Sequence, residues 1–404
     1  MENSAGSKFG EIVGEWLIQE RDREKGEMPG ARQQWATRAV FFIGGFGTAS
    51  WAPLVPLLKA RLAVDEDVLG LLLLCIGFGS LLTMPLAGVA AARFGCRRVL
   101  CVVGSLFALM LLGLCAVSSI ALAVPGLLVF GALMGLLDVS ANIHAILVEK
   151  ASGRRLMSGL HAMWSVGGFV GAGLFGIWMV LGLTPFAATA CAVGIMLFLL
   201  AVSGHHLLRY GGASEGTAAF AVPHGIVAFI GVICCIAFLV EGAMMDWSGV
   251  FLLSVKAQDA SRAGSAFAVF SAAMLTMRLS GDWLSARLGS RRIVLAGSLL
   301  SGISLLLVVL APQLWLVYAG FFGIGIGIAN VVPVFYSMLG RQTVMPIPLA
   351  VAAVSTLGYL GILMGPALIG LVAHQTSLER AFLLLAGLVA LMMAIADYVY
   401  RRVI

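Results

Sequence analysis

Twelve stretches of this 404-residue chain are each apolar for about 20 residues or more, long enough to cross a bilayer as a helix. They run approximately over 36–59, 68–92, 97–118, 122–148, 159–182, 184–205, 225–254, 262–287, 292–311, 313–341, 347–373 and 378–400. Inside lipid a backbone N–H or C=O finds no water. Each stretch must therefore satisfy its own peptide groups, which the α-helix does within a single segment. Charged residues make up only 11% of the chain, against about 25% in a soluble protein. The expected fold class is an all-α membrane protein with twelve transmembrane helices.

The formal net charge of +6 is sorted by side rather than gathered into a nucleic-acid footprint, and no nucleic acid is expected as a partner. Loops on the N-terminal side of the bilayer hold Arg32, Arg38, Arg93, Arg97, Arg98, Lys150, Arg154, Arg155, Arg209, Arg287, Arg291, Arg292, Arg341, Arg401 and Arg402. The opposite loops hold Lys59, Arg61, Lys256, Arg262 and Arg380. The positive-inside rule then places both termini in the cytoplasm. Ahead of the first span, Phe9, Ile12, Val13, Trp16 and Leu17 share one helical face, which reads as an interfacial or partner-docking helix or else as a charged tail. The first 35 residues lack the apolar core of a cleavable signal. The seven cysteines show no metal-ligand spacing; six lie in apolar runs and Cys96 in a basic loop. Neither a metal nor a cofactor is expected.

The second half repeats the first. GLLDVSAN at 135–142 aligns with GIGIGIAN at 323–330, SVGGFVG at 165–171 with STLGYLG at 355–361, and ARFGCRR at 92–98 with ARLGSRR at 286–292. These near-constant offsets are what a duplicated six-helix unit produces. The division expected is an N-terminal segment over 1–35, a six-helix bundle over 36–205, a linker over 206–224 and a second bundle over 225–404. Two short patterns carry no chemistry. The G-x-S-x-G of Gly212, Ser214 and Gly216 lies in a polar linker without the strand-to-helix turn a hydrolase needs. The G-x-G-x-x-G of Gly171, Gly173 and Gly176 lies inside a spanning helix, where small residues serve close packing.

Several polar residues sit inside the apolar runs. The stretch from Gly225 to Val255 contains Glu241 and Asp246. An ionised carboxylate at the bilayer centre costs at least about 2.5 kcal/mol, so such acids are neutral, paired or open to a wet cavity, and proton coupling is the first reading for both. Their spacing puts them well apart around a helix, so a side-by-side pair is not expected; a cap or ion pair is the alternative for Asp246. Histidine ordinarily titrates near neutral pH, so His161 could report or relay protons, or make a plain interfacial hydrogen bond. Trp51, Trp164, Trp247 and Tyr359 suit stacking on a sugar face, or else core packing. Asn330 answers Asn142 across the repeat and must bond either solute or a neighbouring helix.

With twelve spans, a tandem repeat and a glycine- and arginine-rich loop between spans 2 and 3, the chain resembles the major facilitator superfamily over about residues 36–400. The family's loop signature is a glycine, three or four residues, and then Asp-Arg-x-Gly-Arg-Lys. Gly88, Arg93, Gly95, Arg97 and Arg98 match it, and Arg287, Gly289, Arg291 and Arg292 form the second copy. Alanine stands at the aspartate position in both copies, as Ala92 and Ala286. Asp282 follows Arg278 by four residues, pairing distance on a helix. The resemblance assigns these residues to conformational gating, in a charge network rewired or weakened by the missing aspartates. ASWAPLVP at 49–56, DVSAN at 138–142, EGAMMDWS at 241–248 and RLSGD at 278–282 resemble the bacterial YbjJ-like and MosC-like subgroup, akin to fucose permeases, and this resemblance implies the inner membrane of a bacterium. The resemblance implies a fold of two six-helix bundles, with spans 1, 4, 7 and 10 lining a central cavity. Asp138, one turn from Asn142, would then face it, at the place of the fucose permeases' helix 4 carboxylate, as a proton site or a structural hydrogen-bond acceptor. Span 5 lacks the Gly-Pro-x-x-Gly-Gly pattern of many drug–proton antiporters, and span 4 lacks their arginine.

The expected function is secondary transport of a small polar solute, a sugar or sugar derivative, by alternating access. It is expected to be coupled to protons and to need no catalytic residues, with the chain acting as a monomer. Export of amphipathic drugs or metabolites is the alternative; an intramembrane enzyme or a receptor is a remote one.

Overall fold

The computed structural model describes residues 30–212, 222–259 and 262–403. The segment around Phe9, Ile12, Val13, Trp16 and Leu17 lies outside these residues, as do Ser214, Glu215 and Gly216 of the linker. The first bundle comprises α1 (Ala31–Trp51), α2 (Leu54–Leu62), α3 (Glu66–Phe94), α4 (Cys96–Ala116), α5 (Ile120–Ser152), α6 (Met157–Val180) and α7 (Pro185–Gly204). The second comprises α8 (Ile226–Ser254), α9 (Ser265–Leu288), α10 (Ser290–Leu310), α11 (Leu314–Ile328), α12 (Val331–Leu339), α13 (Ile347–Gln375) and α14 (Leu378–Val403). The first span is α1 with α2, bent at Pro53, and the tenth is α11 with α12, broken at Ala329 and Asn330. The protein is thus a twelve-span helical membrane protein of two six-helix bundles. Eleven of the spans are apolar by composition alone. The exception, α9, carries Arg278, Asp282 and Arg287.

Turn chemistry separates spans that hydropathy nearly merges. Gly182 adopts φ 84°, the Thr184 side chain accepts from the Ala187 N–H, and Pro185 opens α7, where its missing N–H costs nothing. Gly95 and Gly289 adopt φ 78° and 84° with extended ψ, a region open essentially to glycine alone, and so separate α3 from α4 and α9 from α10. Cys96 is consequently not in a loop; it is the buried first residue of α4.

Helix pairing repeats between the bundles. In the first, α1 packs on α6, α3 on α5, and α4 on α7; in the second, α8 packs on α13, α9 on α11, and α10 on α14. The repeat-related glycines do the same work in each. A Cβ on Gly171 would lie 2.5 Å from the Phe46 carbonyl oxygen, and one on Gly361 2.0 Å from that of Cys235, so only glycine admits the neighbouring backbone. The few cations on the arginine-poor side also have a shared role. Arg61 donates to the Leu114 and Cys115 carbonyls at the end of α4, and Lys256 to those of Val309 and Ala311 at the end of α10. Each satisfies carbonyls that a helix C-terminus leaves free.

The bundles meet along two seams, α3 with α13 and α6 with α9. At the arginine-rich end they are closed. A Cβ on Gly88 would lie 2.5 Å from the Pro348 carbonyl oxygen, Gly212 abuts Pro348, and Arg155 donates to Ser290. The contact continues to mid-depth, where Gly77 faces Leu363 and Ser165 meets Arg278.

The two kinds of glycine contact predict different failures. Gly361→Leu overpacks one bundle and is expected to cost about 1–3 kcal/mol, lowering the thermal unfolding midpoint in detergent. Gly88→Leu wedges only the seam between bundles. It is expected to leave that midpoint within about 1 °C, no more than the shift of a 1 kcal/mol loss in a chain this long, while transport in vesicles stops.

Candidate functional site: a buried ion pair between the bundles

Arg278 lies in the middle of α9 with 6% of its surface exposed, while its neighbour Leu279 is 59% exposed on the outward face. A guanidinium so placed needs acceptors for its donors. Nη2 donates to Glu241 Oε2 of α8 at 3.2 Å, Nη1 to Ser165 Oγ of α6 at 3.3 Å, and Nε to the Ala329 carbonyl at 3.3 Å. The last acceptor exists because the tenth span is broken there. Arg278 therefore joins both bundles at mid-depth.

This corrects the pairing read from the sequence. Asp282, four residues on, does not bond Arg278. Its Oδ1 accepts from the Ser158 N–H at 3.0 Å and its Oδ2 from the Gly159 N–H at 2.8 Å, across the seam at the start of α6. Glu149 Oε2 accepts from the next two amides back, Leu156 at 2.7 Å and Met157 at 3.0 Å. Two carboxylates thus cap four N–H groups where the helix dipole favours negative charge. An exposed pair four residues apart on one helix is worth only a few tenths of a kcal/mol, so buried partners elsewhere win both side chains.

Asp138 of α5 is half-buried, and Asn142 Nδ2 donates to its backbone oxygen at 3.0 Å and to its Oδ1 at 3.2 Å. Tyr336 of α12 and Tyr359 of α13 lie within electrostatic reach of Asp138. The Tyr336 hydroxyl is 2.7 Å from Ser355 Oγ, and that of Tyr359 meets Ser80 of α3. His161 is buried between Phe41 and Tyr336, with ring centroids 5.5 and 5.8 Å away, and its charge would be felt by Arg278. Its Nε2 has no partner among the described residues. Asn330 sits in the break of the tenth span, its Nδ2 donating to the Met277 carbonyl at 3.2 Å. Gly281 faces it, where any Cβ would fall 2.1 Å from Asn330 Oδ1.

Other candidates stand apart from this group. Trp51 is 6% exposed and lies against Phe130, inside the first bundle. Trp247 donates through Nε1 to the Pro366 carbonyl at 3.2 Å and covers Gly370, tying α8 to α13. Neither stands with the Arg278 group, because each fills a gap that a neighbouring glycine or ring leaves. Trp164 is half-buried over Gly44, beside Phe41. Asp246 is exposed and is not joined to the Glu241–Arg278 pair.

The signature loops use their cations within their own bundles. Arg93 lies over the Phe94 ring and Arg287 over that of Trp283, while Arg291 pairs with Asp397 at 2.7 Å. The Arg97 amide donates to the Leu208 carbonyl at 2.8 Å, fastening the linker's start under the loop, and Arg98 is exposed. His144 completes that fastening: Leu208 N–H donates to its Nε2 at 3.0 Å, and its Nδ1 lies 3.2 Å from Thr37 Oγ1. The bundles are instead held together by Asp282 on one seam and by the close approach of Gly88 on the other. The alignment of 92–98 with 286–292 makes these two residues repeat partners. Sequence reasoning missed Glu149 and Tyr336. An acid at the end of span 4 and a tyrosine six residues after Asn330 were the available signals.

A transporter of Yersinia pestis described as MFS-type is 47% identical over 365 residues, covering 90% of this chain and 94% of that protein. The chain belongs to the Major Facilitator Superfamily. Residues 233–403 match that family directly. The membrane protein MosC of Rhizobium meliloti is 28% identical, over 90% of this chain and 88% of its own length. Among solved structures, the human organic anion transporter MFSD10 superposes with TM-score 0.74 at 17% identity, covering 91% of this chain and 99% of that one. The Escherichia coli fucose:proton symporter superposes with TM-score 0.73 at 15% identity, covering 91% and 98%. At such identity they share the fold. A Major Facilitator Superfamily protein is a membrane transporter of small molecules and not an enzyme.

Two outcomes test this geometry. Glu241→Ala strands the Arg278 guanidinium and is expected to cost about 3–5 kcal/mol of stability; adding Arg278→Met to the same chain should recover most of it, read by thermal unfolding in detergent. Asp282→Ala frees the start of α6. Spin labels on Arg98→Cys and Arg292→Cys, in a chain cleared of its seven cysteines, should then report longer distances. Asp397→Ala, which breaks a pair inside one bundle, should leave those distances unchanged.

Proposed function

We propose that this transporter takes up a small polar solute, a sugar or sugar derivative, together with protons. It does so as a monomer in the bacterial inner membrane, with the arginine-rich face and both termini cytoplasmic. The working units are the bundles of residues 36–205 and 225–404, joined by the linker at 206–224 and rocking about a solute held between them. The observation that carries the reading is a carboxylate in each bundle with links to the other: Glu241, whose partner Arg278 bonds Ser165, and Asp138, which Asn142 bonds and whose charge reaches Tyr336 and Tyr359. Protonation of either acid removes a charge that would resist closure of the bundles over the solute. The unpartnered His161 Nε2, buried between aromatic groups of the two bundles, supports a role in bonding solute or water once the bundles part. A bacterial relative and the shared fold of fucose and xylose proton symporters support the assignment.

The test is uptake into proteoliposomes after a thermal-shift screen has supplied a solute. Asp138→Asn is expected to abolish accumulation driven by a pH gradient while preserving part of the counterflow exchange. Normal accumulation by Asp138→Asn and Glu241→Gln variants would remove both acids from coupling, and binding confined to cationic amphiphiles would favour export.

A further inference from the structure

Arg278 is the one lysine or arginine among the described residues whose surface is buried. Its counter-ion holds it loosely. Only one Glu241 oxygen reaches it, at 3.2 Å, whereas Arg291 and Asp397 in the same chain meet at 2.7 Å. Charge-assisted N–H···O bonds are usually about 2.7–2.9 Å, and the guanidinium fork suits two parallel bonds to one carboxylate. The fork is thus incompletely used. Glu241 is 28% exposed by side chain and Arg278 7%, so the acid stands nearer solvent and the cation behind it. Beside them the buried His161 Nε2 has no partner among the described residues.

Charge balance turns this geometry into a substrate class. A proton on Glu241 would leave Arg278 as an unpaired buried cation, which is several kcal/mol unfavourable unless an anion replaces the carboxylate. One proton and one monoanion entering together leave the centre's net charge unchanged. His161 on α6 stands beside the pair, and behind it lies Tyr336 on α12, which Asp138 on α5 and Cys234 on α8 reach electrostatically; Tyr359 on α13 is within reach of Asp138, and Asp246 on α8 is exposed. Asp138, the acid one aromatic group beyond His161, weighs against a second negative charge on the solute.

We propose that the solute is a monoanionic hydroxycarboxylate of the sugar-acid class, whose carboxylate displaces Glu241 from Arg278 and bonds the guanidinium fork, Glu241 leaving the pair in its protonated form. The proton comes from the solution on the entry side and is released with the solute on the other; no covalent bond changes. This rests on the reading of the chain as a proton symporter.

The experiment compares D-gluconate and D-glucuronate with D-glucose and D-glucitol by calorimetric titration of the intact protein, in two buffers of different ionisation heat. Both acids should bind with uptake of about one proton per anion, more tightly at pH 6 than at pH 8. Glu241→Gln should remove the proton uptake and the pH dependence. Arg278→Lys, which cannot present the fork, should weaken acid binding at least about tenfold. Since the wild-type proton count needs no variant, a misfolded Arg278→Lys protein leaves the test intact. Binding of neutral sugars alone, of neither acid, or of the acids without proton uptake overturns the inference. If neutral sugars still drive proton uptake into proteoliposomes, the symporter reading survives without it; if no solute does, that reading fails too.

Discussion

A guanidinium between two helical bundles must have its donors met, because an unmet charge in a low-dielectric interior costs more than most single contacts return. Much of the centre of this transporter follows from Arg278. Its Nε takes the carbonyl that the break at Ala329 frees. Its Nη2 draws Glu241 from the neighbouring span, and its Nη1 reaches Ser165 in the opposite bundle. In this closed state, therefore, a residue of the second bundle is completed by a residue of the first. Any motion that parts the seam must find Nη1 another acceptor.

Duplication explains both the regularity and the departures from it. Gly171 and Gly361 let paired helices touch in each bundle, and Arg61 and Lys256 each close a helix C-terminus on the arginine-poor side. These positions serve stability, and the two copies still agree. The copies differ where the bundles face one another. Ser165 bonds Arg278, whereas its partner Ser355 bonds Tyr336.

The fold was readable because lipid imposes a strict rule: twelve long apolar runs have few arrangements, and the repeat fixed which runs correspond. The breaks at Pro53 and Asn330 were less legible, since hydropathy does not register where an apolar helix bends. Glu241, Asp138 and His161 stood out as polar groups in apolar surroundings, and the structure gives each of them neighbours on other helices. Their partners were harder to read. The local rule paired Arg278 with Asp282, but each found buried partners on other helices, a choice decided by tertiary approach. Trp51 and Trp247 were ambiguous for a related reason: an aromatic ring suits a core and a solute equally well, and only its neighbours decide.

The repeat partners Asp282 and Gly88 make the two seams mechanically unequal. One is fastened by a carboxylate on two amides, a directional contact that can be exchanged for water; the other is a backbone-to-backbone approach without any charge. A hinge and a clasp behave differently from two clasps. The glycine seam is suited to act as a fulcrum, staying near contact while the carboxylate side swings, so that the arginine-rich end first opens as a wedge beside α6 and α9. Under the proposed uptake, solute would then leave sideways, past Ser158, Gly159 and Asp282, instead of straight down the axis between the bundles.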